Sequence, residues 1–126
     1  MLGNSMPLMA LDYLNEMNKR IQHRGPDDQG VFVDTERGLA LGHLRLSIID
    51  LSAGGHQPMI DPSGDKIVFN GEIFNYKELK KYLPEHTFKT ESDTEILLQL
   101  YRKYGHYALQ YLNGMFAFAF FDQTKN

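Results

Sequence analysis

From Pro7 to His23 the apolar residues Ala10, Leu11, Leu14, Met17 and Ile21 recur at helical spacing, with Asp12, Glu16, Lys19 and Arg20 between them. Pro7 suits a first helical turn, and Gly25-Pro26 cannot continue the helix. The period then shortens. Val31-Phe32-Val33, Leu39-Ala40-Leu41 and Leu46-Ser47-Ile48-Ile49 read as short strands divided by polar residues. Residues 52–65 (SAGGHQPMIDPSGD) have the composition of a long surface loop, and Lys66 to Phe69 reads as a strand ending at Asn70-Gly71. Beyond it Tyr76, Leu79 and Leu83 mark a short helix, and His86 to Thr90 is compatible with a strand. Ser92-Asp93-Thr94-Glu95 has the form of a capping box, in which the Ser92 hydroxyl accepts from the third helical N–H and Glu95 reaches back to the Ser92 N–H. The helix it opens buries Ile96, Leu97, Leu100 and Tyr104 and stops at Gly105, and a short helix follows over His106 to Leu112. The unbroken apolar run Met115 to Phe121 predicts a strand buried on both faces. Strands grouped first and helices later, without βαβ alternation, indicate an α+β fold.

A chain of 126 residues predicts one domain, residues 1–126. With 42% hydrophobic and 23% charged residues it has the balance of a folded globular protein. Its net charge of −3 weighs against nucleic acid or an anionic membrane as partner. No apolar run is long enough to span a bilayer and no signal-peptide pattern opens the chain, so a cytoplasmic protein is expected. His23, His43, His56, His86 and His106 offer no metal-ligand motif, so no metal is predicted. Gly54-Gly55-His56 lacks the spacing and the Lys of a phosphate loop, which leaves no ATP site. There is no cysteine, hence no thiol nucleophile.

Four segments hold more glycine and polar residues than folding alone requires: residues 23–27, 42–48, 70–76 and 91–95. Each has a plain structural reading. His23-Arg24-Gly25-Pro26-Asp27 can be a helix stop, and Asn70-Gly71 a type I′ hairpin turn. Asp93 can simply favour the positive end of its helix, and Arg45 can be a solvated strand charge.

Taken jointly, HRGPDDQG (23–30), LGHLRLSIIDLS (41–52), GHQPM (55–59), VFNGEIFNY (68–76), TESDTE (90–95) and LNGMFAFAFFD (112–122) form six ordered blocks. In order and wording they resemble the glutaminase domain of asparagine synthetase, a class II glutamine amidotransferase of the N-terminal-nucleophile (Ntn) hydrolase superfamily. The resemblance runs from about Met17 to Asp122. It implies an αββα sandwich of antiparallel sheets with flanking helices, here incomplete. It also implies L-glutamine as substrate, hydrolysed to glutamate and ammonia for amide transfer.

In that family a Cys exposed as the first residue attacks the glutamine carboxamide, and a thioester forms as ammonia leaves. By resemblance, the Asn70 side-chain amide and the Gly71 N–H would stabilise the oxyanion. Arg45 would clamp the α-carboxylate, Asp93 assisted by Glu72 would take the α-ammonium, and backbone groups near Leu46 and Ile48 would shape the pocket.

The chain departs from the family at its start. The family begins Met-Cys-Gly, whereas this sequence begins Met1-Leu2-Gly3-Asn4-Ser5 and fewer residues than usual precede HRGPD. Either Leu2 stands where the Cys would, or the first strand is absent and MLGNSM is an unrelated, mobile start. Ser5 could serve as nucleophile only if cleavage exposed it. The family continues past Asp122 with more sheet and then a synthetase domain that uses ATP and Mg, so the chain reads as truncated at both ends, without a cofactor of its own and with a synthetase domain or subunit as a candidate partner. Loss of a nucleophile costs roughly 10⁶-fold in a serine protease, and a comparable collapse is expected here. Three readings stand: a glutaminase domain inactive as written, a non-catalytic module that binds glutamine or a partner, and a structural α+β fragment with no ligand.

Overall fold

The computed structural model describes residues 6–47 and 53–125. Helix α1 (Met6–Arg20) continues into a 3₁₀ turn over Gln22–Arg24. Its inward line is Leu14 and Asn18, both buried, whereas Met17 and Ile21 are exposed. The predicted apolar stripe is therefore rotated. The cause is Gly42, where a side chain would stand 3.0 Å from Asn18 Oδ1 and 3.1 Å from Leu14 Cδ2. The helix sits closest to the strands at that glycine, so the residues facing it become the core side.

Strands β1 (Asp28–Asp34) and β2 (Leu39–Arg45) form a two-stranded antiparallel sheet, in register from Asp28 opposite Arg45 to Asp34 opposite Leu39. Both are longer than their apolar cores predicted. Leu46 and Ser47 lie outside any strand, while Ile48 and Ile49 fall outside the described residues, as does the start at residues 1–5. α1 packs against β1 and β2.

The second sheet has the order β3–β4–β5 and is antiparallel throughout, with β3 at Met59–Ile60, β4 at Lys66–Ile73 and β5 at Gly114–Phe121. The loop predicted over 52–65 thus contains a short strand, preceded by a 3₁₀ turn at Ala53–Gly55. Asn70-Gly71 is not a hairpin turn: β4 runs straight through it and pairs with β5 from Lys66–Phe121 to Ile73–Gly114. Nor is β5 buried on both faces. Phe116, Phe118 and Phe120 pack on the core, whereas Ala117 and Ala119 are exposed and Met115 is 75% exposed. A strand's side chains alternate between faces, and an all-apolar sequence hides that alternation.

Short helix α2 (Tyr76–Leu79) and a 3₁₀ turn at Lys80–Tyr82 lead to α3 (Asp93–Tyr104), which is followed by a 3₁₀ segment over Gly105–Tyr111. His86 to Thr90 is not a strand. Its backbone folds around the Glu95 carboxylate, which accepts from Lys89 N at 2.9 Å and Thr90 N at 2.8 Å. The cap is correspondingly altered: Ser92 Oγ accepts from Thr94 N, the second helical N–H, and Ser92 N donates to Thr90 Oγ1. The core joins Ile96, Leu97, Leu98 and Leu100 of α3 to Ile67, Phe69 and Ile73 of β4, with Leu79, Leu83 and Ala108 around them. Each such side chain contributes about 1.5–3 kcal/mol by leaving water. Arg102 of α3 meets Asp61 and Asp65 at 2.8 Å each, which ties the turn before β4 to the helix.

Candidate functional site

On β4 the odd residues Ile67, Phe69 and Ile73 enter the core, so Val68, Asn70 and Glu72 face the other way. They stand beside Ala119, Ala117 and Met115 of β5. This face, the end of β2 and the start of α3 enclose an open cleft of about 880 Å³. Arg45, Leu46, Asn70, Gly71, Glu72 and Asp93 all line it. Six of the seven residues singled out in the sequence thus share one cavity, although they come from three separate stretches of chain. The seventh, Ile48, lies outside the described residues.

Arg45 is not a solvated strand charge, being only 8% exposed. Its backbone is gripped by the segment that could have been merely a helix stop: Asp27 N donates to Arg45 O at 2.9 Å, and Pro26 bridges to Arg45 in parallel. Gly25 is needed there, because a Cβ would stand 2.6 Å from the Leu44 carbonyl carbon. On the other side the Arg45 guanidinium lies directly against Gly55. Two glycines, one on each flank, leave room for the buried arginine.

Asp93 occupies the first position of α3, where a carboxylate is ordinarily stabilised. Its Oδ2 accepts from Ile73 N at 3.1 Å. Burial nevertheless raises its pKa above the usual carboxylate value and outweighs the hydrogen bonds from the backbone of Ile73, Asp93 and Thr94; the neighbouring Glu72 carboxylate pushes the same way. An acid placed only to cap a helix would be shifted downward. Asp93 and Glu72 together form a site that a bound ammonium would relieve.

Among the described residues, the outer edge of β4 beyond its pairing with β3 is closed by side chains in place of a strand. Phe69 N donates to Gln57 Oε1 at 2.6 Å, and the Phe69 carbonyl accepts from His43 Nε2 at 2.9 Å. A carbonyl only accepts, so His43 carries its hydrogen on Nε2. Burial lowers the His43 pKa, against the opposing pull of the Phe69 carbonyl and Asp28, which favours this neutral form. Gln57 Nε2 continues to Thr94 Oγ1 at 3.3 Å. His43, Gly55, Gln57 and Thr94 line the cleft as well, yet none was picked out from the sequence as a site residue. The sequence did mark their neighbourhoods: His43 and Thr94 fall in the polar segments 42–48 and 91–95, and Gly55 and Gln57 in the block GHQPM (55–59).

A smaller hollow of about 330 Å³ lies between Leu83, Glu85, His86, Gln99, Arg102 and Lys103. Its charged side chains are paired, Arg102 with Asp61 and Asp65 and Lys103 with Glu85, and His86 Nε2 lies 2.9 Å from Glu95 Oε1. Among the described residues no group of three or more His, Asp or Glu side chains is placed to hold a metal, and no helix is long and apolar enough to cross a membrane.

Residues 2–126 match the family described as glutamine amidotransferase domain. The chain is 44% identical over 129 residues to a putative glutamine-hydrolysing asparagine synthetase 2 of Methanocaldococcus jannaschii, a match covering 89% of this chain and 25% of that protein. It is 45% identical over 117 residues to glutamine-hydrolysing asparagine synthetase 1 of Bacillus subtilis, covering 91% of this chain and 18% of that one. The chain therefore spans a quarter or less of these relatives. Among solved structures, the allosteric regulatory enzyme of purine biosynthesis matches with a TM-score of 0.51 and 29% identity, over 65% of this chain and 21% of the other.

Proposed function

Because the chain belongs to the class II glutamine amidotransferases, related to the N-terminal domain of the asparagine synthetases, we propose that its cleft binds L-glutamine and, with no cysteine in the sequence, does not hydrolyse it. The observation that carries this reading is the opposition of charge inside one cavity: a buried arginine on β2, and two carboxylates, Glu72 and Asp93, on β4 and α3. An α-amino acid is a zwitterion, and such a site complements both ends of it. Asn70 and Gly71 of β4 line the same cavity and can direct an amide N–H₂ and a backbone N–H at the side-chain carbonyl oxygen. The packing of α1 on β1–β2 and of α3 on β4 supports an αββα arrangement.

The chemistry stops at binding. Asn70 and Gly71 would stabilise an oxyanion, but without a thiolate nothing forms the acyl intermediate that generates it. Calorimetric titration with L-glutamine, paired with an ammonia assay, tests the reading. Saturable heat that Arg45→Ala abolishes, with no ammonia released, supports it; equal heats for both proteins, or dose-dependent ammonia, contradict it. A second reading, a module that takes a partner chain such as a synthetase subunit, rests on the exposed apolar residues Met115, Ala117 and Ala119 on β5.

A further inference from the structure

Along β4, backbone groups alternate in direction as side chains do. Phe74 N bonds to Asn113 O, on the β5 side, whereas Phe69 and Ile73 turn theirs to the opposite edge, where β3 has already ended. By the same alternation the Gly71 amide belongs to that outer edge, between Phe69 and Ile73. The groups on either side of it are occupied by side chains: Gln57 Oε1 and His43 Nε2 at Phe69, and Asp93 Oδ2 at Ile73. Gly71 itself is exposed and lines the cleft.

We propose that His43 and Gln57 are positioning residues which, by fixing both backbone groups of Phe69, aim the Asn70 and Gly71 donors at the side-chain amide of the ligand and so set the preference for glutamine over amino acids lacking that amide. The inference rests on the glutamine-binding reading. Its geometric basis is that, among the described residues, no strand pairs with this edge of β4 beyond Ile67, so side chains alone hold its backbone there. Two side chains from different elements, β2 and the loop before β3, hold the peptide groups on either side of Phe69, immediately before the donors. Gln57 also reaches Thr94, next to Asp93, so it joins the end of the site that would read the amide to the end that would read the ammonium. Gly30 permits this placement, since a side chain there would collide with the Gln57 carbonyl.

The experiment compares affinities for L-glutamine and L-norvaline, which shares the α groups and carbon chain but lacks the carboxamide. The intact protein is expected to prefer glutamine by about tenfold, the scale of one or two buried hydrogen bonds. His43→Leu and, separately, Gln57→Met reduce that preference to about twofold; His43→Leu leaves norvaline affinity nearly unchanged, whereas Gln57→Met, which also breaks the Thr94 bond, weakens norvaline by less than it weakens glutamine. His43→Gln, which keeps an N–H at the position of Nε2, restores the preference. Variants that weaken both ligands equally, or neither, overturn the proposal. A wild-type protein that binds neither ligand overturns the glutamine reading and the proposal with it. In the ligand-free protein His43→Leu and Gln57→Met must also shift the Asn70 and Gly71 amide resonances, and His43→Leu must do so while sparing that of Asp93. Unmoved Asn70 and Gly71 resonances overturn the proposal even if glutamine binds.

Discussion

Gly55 lies directly beneath the guanidinium of Arg45, so close that a Cβ on the glycine would overlap Nη2 and Cζ. The obstruction involves the far end of a long side chain, which can move aside without displacing backbone. Gly55→Ala is therefore expected to cost about 1–2 kcal/mol, the scale of disturbing one buried side chain. If the cleft binds glutamine as proposed, the displaced guanidinium can no longer take the α-carboxylate in a two-pronged grip, and glutamine affinity is expected to fall about tenfold or more. Thermal melts beside calorimetry check this; a large loss of stability with affinity intact would refute it.

Gly71 presents the reverse case. It has φ 140°, and a Cβ would strike the Met115 carbonyl oxygen and the Phe116 Cα, both backbone. Backbone cannot step aside, so Gly71→Ala must push β4 and β5 apart. The expected loss is about 2–4 kcal/mol, the range of strain and broken packing. Gly38 has φ 64° with open space around it, so Gly38→Ala pays only the conformational cost of about 1 kcal/mol. Denaturant unfolding of the two variants separates the contributions, and equal losses would contradict the structure.

Asp93 holds a raised pKa, chiefly through burial. In the window between its ordinary value and that raised value the native state binds more protons than the unfolded one, so stability falls as pH rises through it. Asp93→Asn can keep an oxygen for Ile73 N while removing the buried charge. Its expected signature is divided: stability at neutral pH unchanged or higher, and glutamine affinity lower by about ten- to a hundredfold, the scale of a charged hydrogen bond. Stability curves against pH, together with titrations, check both parts. Lower stability at neutral pH with unchanged affinity would make Asp93 a structural acid only.

Glu95 behaves oppositely. Burial pushes its pKa up, but hydrogen bonds from the Thr90 hydroxyl, the Lys89 and Thr90 backbone and His86 prevail and hold it below the usual range. The unfolded state then binds more protons, so this stabilisation is present above the ordinary glutamate pKa and is lost as pH falls through the depressed one. Glu95→Gln is expected to cost about 2–3 kcal/mol near neutrality, the effect of losing charge-assisted bonds, and to flatten the acid limb of the stability curve. An acid limb identical to that of the wild type would show that Glu95 is not responsible for it.

The limits of the sequence reading follow the same physics. The helices α1 and α3 were legible because their apolar residues recur every three or four positions, and α3 had Ser92 and Gly105 at its ends. The strand through Asn70-Gly71 was not, because a dipeptide that favours turns was held extended by its pairing with Phe116 and Ala117. The alternation of β5 was invisible in a run with no polar residue. His86 to Thr90 looked extended, yet its backbone was drawn to a carboxylate five or more positions later. The residues lining the cleft were legible through their resemblance to a family. The Gln57 and His43 contacts depend on which loop meets which strand edge, and no local pattern encodes that.

Arg45, Asn70, Gly71 and Asp93 are expected to act on one ligand. Titration of ¹⁵N-labelled protein with L-glutamine, followed by NMR, tests this. The Asn70 side-chain amide, the Gly71 and Asp93 backbone amides and the Arg45 guanidinium should shift together along one saturation curve. Shifts confined to other surfaces, or none at glutamine concentrations that saturate an amidotransferase domain, would contradict it.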